Sequence, residues 1–225
     1  MEKQARSITT NQTGIHQNLH KVVSRHLVHN SQKPLSEHTL QAFQTLLDWL
    51  GDWQGELILD SCCGVGESTA NIAKAHPHAR VIGVDKSALR TKKHLFYAKD
   101  LQNYIVLRAD LNDFLKLLLS HHKKLSKHYL LYPNPYPKSA HLQRRWYATA
   151  ALGDILKLGG QLEVRSNWKL YIEEFAAALS IAEVDNCINQ YSHAEAMTPF
   201  ERKYWNSGQA SWQLVADLSP IADSN

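Results

Sequence analysis

Residues 56–182 alternate short aliphatic runs with longer amphipathic stretches, and this rhythm leaves the chain very few folds. The runs at 56–60 (ELILD), 80–85 (RVIGVD), 104–110 (YIVLRAD), 129–132 (YLLY) and 161–165 (QLEVR) have strand length and strand composition. Helical patterns at 67–76, 87–101, 111–122, 140–157 and 170–182 stand between and after them. Strands joined through helices run parallel, and the crossover helices then cover both faces of the sheet. Two more β segments, 184–191 and 211–218, are expected on either side of a polar loop at 192–210. The pattern predicts an α/β, Rossmann-like domain with a mostly parallel, seven-stranded sheet, helices on both faces and a C-terminal antiparallel strand.

The 225 residues suit one such domain over 56–225, preceded by an N-terminal extension over 1–55. Within the extension, Leu40, Phe43, Leu46, Leu47 and Leu50 recur at helical spacing, with Ser36 placed to cap and Gly51 to stop a covering helix. Arg6, Lys21, Arg25 and His26 are scattered before it, as on a solvated arm. A hydrophobic fraction of 44% supports an ordinary core. No apolar run is long enough to span a membrane, and the N-terminus has no apolar signal-peptide region. Cys62, Cys63 and Cys187 make a poor disulfide framework, which fits a reducing cytoplasm. With no CxxC or HExxH present, no metal site is expected. A net charge of +4 permits an anionic partner, and composition is equally compatible with a monomer or a homodimer.

The fourth aliphatic run stops at Pro133-Asn134-Pro135-Tyr136-Pro137. Proline lacks an N–H and biases the preceding residue away from helix, so a stiff, extended loop is required here. This loop carries an amide, Asn134, and an aromatic ring, Tyr136. Lys138, Arg144 and Arg145 follow directly. An amide, a ring and cations together suit a flat, hydrogen-bonding group attached to an anion, such as a base in RNA.

Acids stand at the ends of the first three strands: Asp60, Asp85 and Asp110. In doubly wound sheets, ligands bind beyond the strand carboxyl ends. Gly64 and Gly66 after the first strand allow a tight turn and close backbone approach. A dinucleotide fingerprint would place a third glycine where Thr69 stands, which disfavours NAD. S-adenosylmethionine fits better: Asp85 can accept from ribose hydroxyls, Asp60 can hold the ammonium and Asp110 can accept from the adenine amino group.

These motifs, in this order over residues 56–215, resemble the tRNA (guanine-N7)-methyltransferases, a class I S-adenosylmethionine-dependent family. The turn from Asp60 to Ser68 is similar to the family's glycine-rich turn, with Cys62 at its first glycine, and Asp85 and Asp110 fall on its cofactor-contacting acids. Tyr132 to Lys138, with Arg144-Arg145, resembles the Phe-x-Asp-Pro-Trp-x-Lys signature and its basic run. Ser166-Asn167 stands for a Thr-Asp, and Thr198-Pro199-Phe200-Glu201 for a Thr-x-Phe-Glu. The resemblance implies S-adenosylmethionine as cofactor and tRNA as partner, methylated at guanine N7 in the variable loop. It also implies base contacts from Asn134 and Asn167, a wall from Tyr136, phosphate contacts from Lys138 and from Arg144 or Arg145, and pocket closure by Thr198 and Glu201. Two family carboxylates are amides here, Asn134 and Asn167. An amide offers donors where a carboxylate offers only acceptors. Two other readings therefore stay open: methylation of another base or an exocyclic amine, and a non-catalytic RNA-binding relative.

Overall fold

The computed structural model describes residues 4–29, 33–97 and 100–218. Five strands pair in parallel: β1 (Leu57–Ser61), β2 (Arg80–Asp85), β3 (Tyr104–Arg108), β4 (Lys127–Leu131) and β5 (Gln161–Ser166). β7 (Ser211–Asp217) lies antiparallel to β5, and β6 (Asn186–Tyr191) lies antiparallel to β7. The sheet order is β3-β2-β1-β4-β5-β7-β6, so chain direction across the sheet reverses between β1 and β4. A crevice forms at such a reversal because the two flanking connections leave toward opposite sides.

The expected helices sit between these strands as α3 (Glu67–Ala75), α5 (Leu111–Ser120) and α7 (Lys169–Ile181). One sheet face carries the larger core, with Phe114, Leu152, Ile155, Tyr171 and Phe175 against Leu59, Leu130 and Val164. The other face packs Ile58, Val81, Tyr129 and Leu131 against Ile72 and Ala73 of α3.

Four segments depart from the sequence reading. The solvated arm is instead helix α1 (Leu19–Val28), which buries Leu19, Val22 and Val23 in the larger core beside Phe43, Leu46 and Leu50 of α2 (Glu37–Leu50). Its polar composition hid a single apolar stripe. The expected helix over 87–101 shortens to α4 (Ala88–Thr91) and a 3-10 turn, His94–Phe96. Leu89 and Phe96 remain exposed, and a helix without a packed apolar face gains little beyond its marginal intrinsic stability. The expected helix over 140–157 breaks into 3-10 turns at Ser139–Arg144 and Trp146–Ala148, followed by α6 (Ala151–Leu158). Arg145 and Thr149 adopt extended backbone at the breaks. Finally, the loop at 192–210 contains α8 (Pro199–Asn206). Thr198 caps it, its hydroxyl accepting from Glu201 N at 3.0 Å, and Pro199 supplies the first-turn residue that lacks a donor.

Candidate cofactor and acceptor cleft

The turn after β1 is built from residues tolerant of a left-handed backbone: Gly64 (φ 60) and Gly66 (φ 80), with Cys62 (φ 62) preceding them. A Cβ on Gly66 would lie 2.6 Å from His94 Cβ, so only glycine lets the connection after β2 close over the turn. Gly64 N donates to Asp85 Oδ2 at 3.1 Å, tying the turn to the end of β2. Asp85 Oδ1 accepts from Ser87 N at 2.8 Å and lies 3.4 Å from Arg90 Nη2. A ribose at Asp85 would share or displace that Arg90 contact.

Asp60 lies beneath this turn, fully buried. Its Oδ2 accepts from Ser68 Oγ at 2.6 Å and Thr69 Oγ1 at 2.7 Å, while its buried Oδ1 has no partner. Burial raises the Asp60 pKa to about 6; the two hydroxyls oppose the rise and the charge of Asp85 adds to it. A buried carboxylate with an idle oxygen calls for a cation nearby, which is the chemistry of an ammonium or a sulfonium. Asp110 caps α5, its Oδ1 accepting from Asn112 N at 3.0 Å. Its half-exposed carboxyl lines the cleft beside Ala109, Leu111 and Asn112, an apolar and amide setting suited to a purine.

The proline loop forms the opposite wall. A cleft of about 640 Å³ lies between the ends of β2 and β3 and this loop; Cys62, Asp85, Arg90, Asp110, Asn134, Tyr136 and Arg144 line it. That volume admits a nucleoside-sized ligand. Asn134 Oδ1 accepts from Tyr136 N at 3.3 Å, an Asx turn that commits one lone pair to the backbone and leaves the amide donors for other partners. The Arg144 guanidinium lies 5.9 Å from the Tyr136 ring centroid. Burial holds the Cys62 thiol up at about 12, so this sulfur stands in the cleft wall as a neutral side chain.

Two tyrosines with left-handed backbone bracket the loop, Tyr132 (φ 51) and Tyr136 (φ 46). Such backbone costs about 1–2 kcal/mol at a non-glycine residue and persists only where its surroundings hold it. Tyr132 OH donates to Glu201 Oε1 at 2.8 Å and meets Ser211 Oγ at 2.6 Å. The Tyr136 carbonyl accepts from Arg145 Nε at 3.2 Å and Nη2 at 3.1 Å.

Of the two arginines offered for the phosphate contact, Arg145 therefore has a different task. It is 0% exposed and forms an ion pair with the equally buried Glu174. Arg145 Nη2 also donates to Lys138 O at 3.3 Å and Gln12 Oε1 at 3.0 Å. Glu174 accepts from Tyr147 OH, from Gln12 Nε2 at 2.5 Å and from His16 N at 2.7 Å. Desolvating a guanidinium so completely is tolerable only with its donors satisfied, and it precludes contact with a solvent-borne phosphate. Thr198 and Glu201 also differ from expectation. Both are buried: Thr198 caps α8, and Glu201 accepts from Arg165 Nη1 at 3.1 Å and Met197 N at 2.6 Å. The cleft residues of α8 are Phe200 and Tyr204. The spacing Thr-Pro-x-Glu is itself a helix-start signal, and it would have placed Phe200 and Tyr204 four apart on one face.

Asp85, Asp110, Asn134, Tyr136 and Arg144 thus share the cleft, while Asp60, Gly64 and Gly66 support its floor from behind. Lys138 is exposed outside the cleft lining, and Asn167 donates to Gln209 Oε1 at 2.8 Å instead of facing Asn134. Trp146 and Arg90 line the cleft without having been singled out by the sequence. Among the described residues no group of His, Cys, Asp and Glu could hold a metal, and no helix is long and apolar enough to cross a membrane.

A family profile described as "Putative methyltransferase" matches residues 54–214. Among curated proteins, the tRNA (guanine-N(7)-)-methyltransferase of Hydrogenovibrio crunogenus is 27% identical over 169 residues, covering 70% of each chain. The protein of the same description from Burkholderia ambifaria is 28% identical over 167 residues, covering 70% of this chain and 65% of that one. The chain spans about two thirds of the length of these relatives. The 16S rRNA methyltransferase KamB superposes with a TM-score of 0.56 at 17% identity, covering 84% of this chain and 96% of that one. The 16S rRNA (adenine(1408)-N(1))-methyltransferase of Catenulisporales acidiphilia, solved with its cosubstrate SAM, gives a TM-score of 0.56 at 14% identity, covering 81% and 93%. These two solved structures share the fold.

Proposed function

This chain belongs to that methyltransferase family, and from this premise we propose that it transfers a methyl group from S-adenosylmethionine to guanine N7 in tRNA. The observation that carries the reading is the single cleft shared by the strand-end acids Asp85 and Asp110 and the proline-loop residues Asn134, Tyr136 and Arg144. When bound, S-adenosylmethionine supplies an electrophilic methyl on a sulfonium. Asp85 would hold the ribose, Asp110 the adenine edge, and Asp60, below the turn, would balance the cofactor's positive charge.

Guanine N7 carries a lone pair and no proton, so the chain need not supply a base; positioning and electrostatics carry the work. Guanine presents O6 and N7 as adjacent acceptors on its major-groove edge. Asn134, with its oxygen engaged by Tyr136 N and its amide donors remaining, complements O6. Tyr136 would wall the base, and Arg144, exposed at the rim, would meet a phosphate. Asn167 and Lys138, set back from the cleft, join the site only through an RNA large enough to reach them.

The test is incubation of the full chain with unmodified bulk tRNA and methyl-labelled S-adenosylmethionine, followed by nucleoside mass spectrometry. Labelled 7-methylguanosine is the expected product. A labelled N6-methyladenosine or other methylated amine would move the assignment to the amine reading. Retained tRNA binding without label would mark a non-catalytic relative.

A further inference from the structure

We propose that helix α1 and the proline-loop turns together form a track for an RNA phosphate backbone, entering the cleft at Arg144. The inference rests on the tRNA reading above and adds a surface to it. Residues 4–29 and 133–153 contain no Asp or Glu, and the fold packs these two distant stretches against each other. Thr10 Oγ1 donates to Pro137 O at 2.6 Å, Ser139 N donates to Asn11 Oδ1 at 3.0 Å, and Arg25 Nη2 donates to Gln143 Oε1 at 2.9 Å. The last contact sets α1 beside the residue preceding Arg144, which lines the cleft.

Lys21 and Arg25 are exposed and stand four residues apart. They share one helical face and lie about 6 Å apart along the axis. Lys138 and Arg144 are the exposed cations of the adjoining stretch. Among the described residues, no surface acid of this region outside the cleft itself cancels them. Glu174 is fully buried and consumed by Arg145. Glu173 pairs with Lys169 at 3.2 Å, and the charges around Asp154 are Lys157 and Lys116. Burial and then the charges of Arg144, Lys138 and Arg145 hold the His141 pKa below its ordinary value. Burial and the charges of Arg25 and His29 do the same for His26. The field along this face is therefore positive and uncompensated, and most of it arises from side chains that the core does not need. A row of exposed cations without neighbouring acids matches a phosphodiester backbone, whose affinity comes from counterion release.

The experiment compares tRNA binding by the full chain and by a Lys21→Ala/Arg25→Ala variant, using fluorescence anisotropy with an unmodified tRNA transcript from 50 to 300 mM KCl. A Lys123→Ala/Lys124→Ala variant, altered just before the amino end of β4 and away from the cleft, controls for net charge. Losing two phosphate contacts reduces the steepness of log Kd against log [KCl] by about 1.4 for single strands to about 1.8 for duplex. The control pair is expected to leave the slope unchanged, and KM for tRNA in methyl transfer is expected to rise only in the α1 variant. An unchanged slope in the α1 variant, or an equal change in the control, overturns the track. Equal competition by polyglutamate would also overturn it, since that outcome reports generic anion binding. If wild type transfers no methyl to tRNA and the α1 variant still loses slope, the track stands while the catalytic reading falls. Methyl transfer with an unchanged slope removes the track and leaves the catalytic reading standing.

Discussion

Replacing Glu174 by Ala removes the acceptor on which the proline loop depends. In the native chain, Glu174 takes the Arg145 guanidinium, Tyr147 OH, Gln12 Nε2 and His16 N, all inside the core or at its edge. The variant leaves a fully buried guanidinium unpaired, which costs about 3–5 kcal/mol. For a domain of this size, each kcal/mol moves the melting midpoint by about 2–4 °C, so the expected fall is about 6–20 °C by circular dichroism. A second variant separates positioning from stability. Arg145→Met/Glu174→Leu replaces the buried pair with apolar volume, an exchange that is often neutral or stabilising. It should recover most of the lost midpoint. It should not recover KM for tRNA, because the carbonyls of Tyr136 and Lys138 have lost the guanidinium that holds them. Two results would refute this reasoning: a midpoint within about 2 °C of wild type in Glu174→Ala, or a double variant with wild-type KM.

Asn134→Asp replaces the amide donors facing guanine O6 with acceptors only, so kcat/KM on tRNA should fall about 5- to 150-fold, corresponding to about 1–3 kcal/mol, and a rise in steady-state assays would refute the O6 pairing. Asp60 has a folded pKa of about 6 against an ordinary 3.8, so between these values the unfolded chain binds fewer protons than the native one. Stability attributable to this group is therefore fully present below pH 3.8, falls by on the order of 3 kcal/mol as pH rises to 6, and is flat above. Subtracting the melts of Asp60→Asn from those of wild type at pH 4.5 and pH 7 should expose about 2 kcal/mol of that loss. Gly64→Ala would bring its Cβ only into ordinary contact with Arg90 Nη1 at 3.9 Å and should cost just the left-handed backbone, about 1–2 kcal/mol, whereas Gly66→Ala also strikes His94 and should melt several degrees lower than Gly64→Ala.

The alternation of aliphatic runs and helices determined the parallel strands, because a run buried on both faces must be apolar throughout and its crossover must be helical. Acids at 60, 85 and 110 mark the carboxyl ends of those strands, and the geometry of a doubly wound sheet alone puts such residues near one crevice. The stiff loop at 133–137 was equally legible, since proline acts on its own backbone and on its neighbour's. The partners of Arg145 and Glu201 were not. Arg144 and Arg145 are adjacent and chemically identical, yet one lines the cleft and the other is sealed in the core. That difference depends on Glu174 and Gln12, 29 and 133 residues away in the chain. Helix α1 illustrates the same limit: the absence of acids over 4–29 can be read in the sequence, but the helix itself and its packing beside Gln143 emerge only in the folded chain. Local sequence dictates backbone form wherever the physics is local. Which of two identical charges meets solvent is decided by long-range burial, and only the folded chain brings those groups together.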